Sequence, residues 1–542
     1  MATVIFTKKV NWNGTPGNDR VTIAGGKKSV IKTKKGNDTI TMTGGSYCAV
    51  YGDENNDSIT VGAKVLGAAV FGGAGKDRIT VNSTKIYKDK YKGVNEGKTF
   101  TQISYIGTYV DAGSGNDTIV VNAGTGHSIY GGTGKDSVTI GKKAQAYVDA
   151  GAGNDIITVK SATQGKYVFN GKTRYSGTTV LAGKGNDTIA ITAGKSHMVF
   201  TGSGNDAVVI KGGNNGTITY GSGNNNFTIT GGSGYTIQSD FIYDKNDFDP
   251  TTDYYANSTK WKSTVSISGG SNNSINCGNG DDNVVIKGGK NNYVSVGDGT
   301  DYVEVTGGTN NSVSMDPVLP GTEIRKATVY IKGGKGTSVF SGNGKSSTIY
   351  VQGGTGTSVF TGEGKNSRIY VQGGSFKRIE AEGGTVSLSS KVKYGKDASI
   401  ISRNNGDTNR WDGDSPVNYK VAWNDTMNLS FGGNSASNTD KLTITGVKCD
   451  DLMGSTEFTN YAEVFTVFGK NGGKIALTKT KGGWDFSSIK VGSQVFNSMS
   501  AFVSALAEFD SAVVGLNNNY ASGAVFKSGS KTPLLATSST VK

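Results

Sequence analysis

Apolar residues along most of this chain come in short alternating runs rather than long blocks. Residues 113–121, Gly-Ser-Gly-Asn-Asp-Thr-Ile-Val-Val, show the unit: a glycine-rich turn, an aspartate, then β-branched side chains two and four residues on. Taking the aspartate as phase marker, the unit returns roughly every nineteen residues, at Asp19, Asp38, Asp57, Asp77, Asp117, Asp136, Asp155, Asp187, Asp206, Asp282 and Asp301. The apolar pairs that follow include Ile40 and Met42, Ile59 and Val61, Ile119 and Val121, and Ile189 and Ile191. Such alternation predicts a strand with one buried face. Seven residues before the marker stands a second apolar series, Val50, Val70, Val110, Ile129, Val148, Val180, Val199, Ile275 and Val294, which predicts a second strand. Glycine pairs such as Gly44-Gly45 and Gly212-Gly213 separate the two strands on one side, and the Gly-x-Gly-Asn-Asp turn does so on the other.

Two short strands and two tight turns per period make one coil of a parallel β-solenoid, with the apolar series stacked inside. The expected fold is therefore all-β, with residues 1–390 as the solenoid. Equivalent residues of successive coils then lie about 4.8 Å apart, which turns the markers into a column of like charges. A hard dication between coils removes the repulsion, because Ca²⁺ takes six to eight oxygens from carboxylates and exposed backbone carbonyls. The remaining expected ligands are the turn glycines Gly36, Gly75, Gly115, Gly134, Gly153, Gly185 and Gly204. The competing reading makes the aspartates simple Asx turns.

Gly72-Gly73-Ala74-Gly75-Lys76-Asp77-Arg78-Ile79 and Gly131-Gly132-Thr133-Gly134-Lys135-Asp136-Ser137-Val138 carry a wider likeness. They resemble the RTX, or haemolysin-type calcium-binding, repeat. The resemblance implies a β-roll, bound calcium, and export by type I secretion with an uncleaved C-terminal signal and folding outside the cell. The family loads calcium on both edges of the coil, whereas here the Gly-Gly turn has no aspartate in phase, so one calcium edge is expected. The marker is lost near Asn225, Ser263, Ser347 and Ser367, and coils 327–390 are expected to be metal-poor and held by packing.

Composition refines this picture. With 83 glycines and 35% hydrophobic residues, the chain of 542 suits a thin-cored solenoid better than a globule. Cys48, Cys277 and Cys449 lie too far apart for a disulfide framework, and the first two fall on inward positions. No apolar run reaches membrane-spanning length, and Met1-Ala-Thr-Val-Ile-Phe leads into the first coil without the pattern of a signal peptide. The expected location is extracellular or on the cell surface. A formal charge of +13 fits solubility or attraction to anionic cell-surface polysaccharide or lipopolysaccharide. No nucleic-acid-binding motif is present.

Insertions interrupt the period at 83–107, 160–177, 239–262 and 315–326. The first two are rich in basic and aromatic residues and replace or extend the Gly-Gly turn. Lys88, Tyr91, Lys92, Tyr167, Lys172, Arg174 and Tyr175 are the candidate contacts with a glycan or a partner subunit. The third replaces a marker turn and is rich in Asp and aromatics, without EF-hand spacing.

Residues 391–542 lose the period. Strand patterns at 398–402, 417–421, 427–431, 441–445, 464–468 and 474–478 suggest a β-sandwich-like domain. One helix is expected to follow, with Met499, Phe502, Val503, Leu506 and Phe509 on one face and Asn497 or Ser498 as its cap. This region is expected to serve assembly and secretion.

An enzyme is not expected. The two histidines, His127 and His197, each stand nine residues before a marker, and neither a His-Glu-x-x-His nor a Gly-x-Ser-x-Gly motif occurs. A solenoid polysaccharide enzyme built on Lys, Arg, Tyr and acids is the distant rival, and a glycan-binding adhesin the nearer one. The leading expectation is a secreted calcium-binding structural protein that polymerises head to tail in a surface layer or extracellular filament.

Overall fold

A computed structural model describes residues 1–95, 98–169, 172–239, 261–278, 280–297, 299–315, 326–341, 347–361, 366–381, 383–402, 417–433, 440–459, 462–479, 486–510, 525–526 and 533–534. The chain forms two compact units, one of residues 1–283 and 289–293, the other of residues 284–288 and 294–542.

In the first unit the two strands per coil form where the apolar series stand. Strand Thr39–Met42 pairs in parallel with Ser58–Val61, placing Ile40 beside Ile59, and Ala49–Glu54 pairs in parallel with Ala69–Ala74, placing Val50 beside Val70. The pattern repeats to strands Thr264–Ile267 and Ser274–Asn276. Ile40, Met42, Val50, Ile59, Val70, Ile119, Ile129 and Ile189 are all fully buried. Each such side chain contributes roughly 1.5–3 kcal/mol by leaving water, and a coil supplies only a few of them, so stability here is the sum of many thin layers. Cys48 and Cys277 are buried and form no disulfide, as their inward phase predicts.

Insertions 83–107 and 160–177 are not separate loops. Hairpin Tyr87–Asn95 with Lys98–Ile106 and hairpin Gly165–Phe169 with Lys172–Ser176 meet through Gln102 beside Phe169 and Ile103 beside Val168. The result is one antiparallel four-stranded sheet. Insertion 239–262 lies outside the described residues except for its ends, as does most of 315–326.

In the second unit the coils of residues 326–371 stack without a marker carboxylate at their phase positions, whereas further on the Val417 N–H donates to the buried Asp440 Oδ1 at 2.9 Å. Lys326–Ile331, Ser347–Val351 and Arg368–Val371 stack in parallel, and their solvent-side tyrosines stack too. Tyr330 and Tyr350 lie 4.8 Å apart, Tyr350 and Tyr370 5.2 Å, and Phe340 and Phe360 4.6 Å. Gln352 Nε2 donates to Gln372 Oε1 at 3.0 Å. In-register aromatic pairs of this kind add to the burial inside.

The strands expected beyond residue 391 are present, but they do not form a β-sandwich. Gly384–Leu388, Val417–Ala422, Asp440–Thr445 and Phe486–Val491 pair in parallel one after another, as do Ser375–Ala381, Lys393–Ser402, Asn428–Gly433 and Lys474–Thr478. The two-strand coil therefore runs through the expected boundary with longer connections. Alternating sequence announces a half-buried strand without saying which neighbour it takes or in which direction. Among the described residues, Leu452–Thr459 with Ala462–Gly469, the latter with Lys474–Thr478, Phe486–Val491 with Gln494–Phe496, and Val525–Phe526 with Pro533–Leu534 run antiparallel in this stretch.

The helix spans Met499–Asp510. Ser498 caps it, its Oγ accepting from the Ala501 N–H at 3.1 Å. Met499, Phe502 and Leu506 are buried, Val503 is half-buried, and Phe502 lies edge-on to Phe465. The side chain of Phe509 lies outside the described residues.

Ile119→Ala should cost about 3 kcal/mol, because Ile119 is enclosed by Ile79 and Val138 of the coils before and after. A shift in the urea midpoint measures it, and an unchanged midpoint would show that the ladder is not the core of this unit.

Candidate metal centre

Stacked parallel coils satisfy strand backbone groups through their ladders, but the tight turns leave N–H groups pointing along the stack. The marker aspartates answer this need. The Asp38 N–H donates to Asp57 Oδ1 at 2.7 Å, Asp57 to Asp77 at 2.8 Å, Asp77 to Asp117 at 2.7 Å, Asp136 to Asp155 at 2.7 Å and Asp187 to Asp206 at 2.9 Å. Asp19, Asp117, Asp155 and Ser263 donate in the same way to the next marker, the last to Asp282. Where asparagine stands before the marker, it makes a second, exposed ladder of opposite polarity: Asn56 N–H donates back to Asn37 Oδ1, and Asn186 N–H to Asn154 Oδ1.

The markers are buried, none of them more than 3% exposed. They therefore stand inside the turn rather than on an open edge. For Asp57, Asp77, Asp117, Asp136, Asp155 and Asp187, Oδ1 is used in the ladder while Oδ2 finds no donor among the described residues. Asn225, in the same column after Asp206, shows what surrounds that second position. Its Oδ1 takes the Asp206 N–H at 3.0 Å, while its Nδ2 donates to the carbonyls of Gly221 and Gly223 at 3.1 and 3.0 Å. By register, an aspartate in this position points Oδ2 at carbonyl oxygens of its own turn. Oxygen facing oxygen needs a proton or a cation between.

Glycines frame the same space. A methyl placed on Gly131 would lie 2.8 Å from Asp136 Oδ2 and 2.5 Å from the carbonyl oxygen of Ala150 in the next coil. The expected glycines two before the marker, Gly36, Gly75, Gly115, Gly134, Gly153, Gly185 and Gly204, all have φ between 125° and 150°, which only glycine adopts without strain. A methyl on Gly134 would also strike the Gly115 backbone.

Burial is the main cause that pushes the carboxyls up, to about 8 at Asp57, about 7 at Asp117 and Asp187, and about 6 at Asp155. The N–H of the preceding coil pulls each one back, and neighbouring markers push again. Asp38, Asp77, Asp136 and Asp206 are raised as well, foremost by burial. Asp19 is the contrast. Burial raises it, but donors from Thr15 Oγ1, Thr15 N–H and Ala2 N–H hold it below the usual value. A marker with both oxygens served stays an anion.

The donor set fits a hard, oxygen-seeking cation. Among the described residues no three His, Cys, Asp or Glu side chains gather into one metal-holding group. A cation in this turn would therefore draw much of its coordination from backbone carbonyls. Asp301, in the second unit, is buried at the start of strand Thr300–Val305.

The expected contact residues of the insertions are brought near one another by the inserted sheet. Register places Tyr167 opposite Arg174 and Tyr91 opposite Gln102. Lys88 and Tyr175 are exposed, and the side chains of Tyr91, Lys92, Tyr167, Lys172 and Arg174 lie outside the described residues.

The far turn carries a ladder that the sequence reading left without a role. Nine residues before each marker phase, Asn273 Oδ1 accepts the Tyr235 N–H at 3.0 Å and Asn292 Oδ1 accepts the Asn273 N–H at 3.1 Å. His127 and His197 occupy this column. The signal was their shared phase.

No family model, curated protein or solved structure matches the chain.

The raised carboxyls set a pH dependence for the metal-free protein. A folded pKa above the unfolded value stabilises the fold at low pH, and that stability is lost as pH rises through the folded pKa. With chelator present, the thermal midpoint should fall between pH 5 and pH 8. A flat or rising midpoint over that window, measured by circular dichroism, would contradict the buried column.

Proposed function

We propose that this chain is a secreted, calcium-loaded structural solenoid of the RTX type that folds and assembles outside the cell. The observation that carries the reading is the column of buried marker carboxylates, among them Asp57, Asp117 and Asp187, whose Oδ2 atoms have no donor among the described residues, in the turn position from which the Asn225 amide donates to two carbonyls. Inside a cell, where free calcium is scarce, these turns leave several buried carboxylates competing for protons. Outside, a divalent cation bridges carboxylate and carbonyl oxygens, neutralises the column and joins coil to coil. Asp57, Asp77, Asp117, Asp136, Asp155 and Asp187 would hold the ions, with carbonyls of turn glycines such as Gly115 and Gly134. Sites absent from the unfolded chain make metal affinity a folding free energy.

Scaffold rather than catalysis is the reading supported by what the polar residues do. Both histidines, the marker aspartates and the turn asparagines are engaged in coil-to-coil hydrogen bonds. Repetition of one surface along a stack suits lateral or end-to-end association, and unclosed contacts of that kind produce sheets or filaments. A second reading, capture of an anionic cell-surface glycan, is favoured by one feature, the union of the two basic insertions into a single sheet.

Asn225 supplies the test. Asp117→Asn, Asp136→Asn and Asp155→Asn together should retain the N–H ladder, lose bound calcium relative to the parent, and melt in chelator at or above the parent's midpoint. Bound calcium is read by elemental analysis after gel filtration and stability by thermal melts. A parent that takes up no calcium at millimolar concentration would overturn the proposal. Negative-stain microscopy of the full chain should show ordered polymers in calcium that dissolve in excess chelator. Isolated particles in both conditions would reject the assembly half alone.

A further inference from the structure

Each of the two histidines stands in the coil that follows an insertion, and each is built into the base of that insertion in the same way. His127 Nδ1 accepts the N–H of Thr108, the first residue after insertion 83–107, at 2.9 Å, and His197 Nδ1 accepts the N–H of Thr178, the first after insertion 160–177, also at 2.9 Å. Because Nδ1 accepts, the proton sits on Nε2, which donates to Ala123 O at 3.0 Å in one case and to Ala193 O at 2.9 Å in the other. Both rings are about 1% exposed.

The near side of each insertion is fastened at the same spot. Ser83 Oγ donates to Val65 O at 2.6 Å and Ser161 Oγ to Ala144 O at 2.5 Å. Backbone groups of these two serines lie close enough to the imidazoles to act on their titration. Gln145 then ties one base to the other: its Oε1 accepts the Gly126 N–H at 2.9 Å and its Nε2 donates to Gly177 O at 3.1 Å. The hairpins that leave these bases make the four-stranded sheet.

We propose that His127 and His197 are matched clamps that fasten the inserted sheet to the solenoid and release it when the imidazoles are protonated. A protonated ring carries a hydrogen on Nδ1, so the Thr108 and Thr178 N–H groups would meet a donor instead of an acceptor. The groups facing each ring are backbone carbonyls and N–H groups, with the Thr108 and Thr178 hydroxyls in the same column. Among the described residues no carboxylate or ammonium contributes to either ring's titration, and burial, the main cause, lowers both. The cations on adjoining segments, Lys85, Lys142, Lys143 and Lys195, are exposed and would further oppose protonation. The imidazoles thus stay neutral at neutral pH, and the clamp opens only in acid. This inference is independent of whether the marker turns bind calcium.

The fold itself provides the non-titrating control. Asn273 stands in the same column and accepts the preceding coil's N–H through an amide oxygen. Hydrogen exchange of the full chain, corrected for intrinsic chemistry, should show peptides covering 83–108 and 161–178 losing protection by about tenfold per pH unit below the imidazole pKa. Peptides covering 118–121 and 188–191 should hold. In the double variant His127→Asn with His197→Asn that acid step should vanish. The same step in the variant, or no step in the parent between pH 7.5 and pH 4.5, would overturn the proposal. Should the variant open its insertions already at neutral pH, nitrogen-15 spectra of the two imidazoles in the parent decide. Both must be the Nε2–H tautomer at pH 7 and gain a proton in step with the loss of protection. Imidazoles already charged at pH 7, or titrating without any change in protection, would sink the idea.

Discussion

Everything in these coils depends on how a tight turn in a stack of parallel strands satisfies its backbone N–H groups. Inside the strands the ladders do so automatically. In the turns some N–H groups find backbone carbonyls of an adjacent coil, as Gly115 does with Thr133 O, but those at the marker phase take their acceptor from a side chain one coil away. A short side chain ending in oxygen or an unprotonated ring nitrogen, placed at a fixed phase, is what that geometry accepts. Aspartate fills the slot in one turn; asparagine or histidine fills it in the other.

The choice among those three residues determines chemistry. Asparagine closes its turn completely, because its amide donates to the carbonyls that its oxygen cannot serve. Aspartate closes half of it: at Asp57, Asp77 and Asp117 one oxygen takes the N–H of the preceding coil and the other has no donor among the described residues. Histidine closes its turn only while neutral. A chain that stacks the same backbone again and again can therefore place stable and conditional coils side by side by changing one residue per period. In the second unit the tyrosine and phenylalanine stacks at 4.6–5.2 Å show coils supported without any carboxylate.

Much of this is written locally. Ile40, Ile59, Val70 and Ile119 had to be inward because alternation and turn spacing leave one consistent phase, and all are buried. The helix from Met499 was legible in its apolar face and in Ser498. The strands after residue 391 were legible as strands but not as parallel coils, since the longer connections removed the period that had fixed their partners. The marker aspartates were legible as a column, whereas their burial and the division of labour between Oδ1 and Oδ2 were not.

The sequence by itself determined the coil: where each strand lies, which face is apolar, where glycine must turn the chain and which residues stack in register. It could do so because those properties repeat within about nineteen residues and depend on each residue's own conformational and burial preferences. Tertiary structure alone decided the rest. It joined two insertions into one sheet, gave His127 and His197 the same N–H to hold at the foot of each, and left Oδ2 of markers such as Asp57, Asp117 and Asp187 without a donor among the described residues. The physical reason is that a hydrogen bond is a property of two positions, and here the second position lies in another coil, at a distance and angle that no local pattern records.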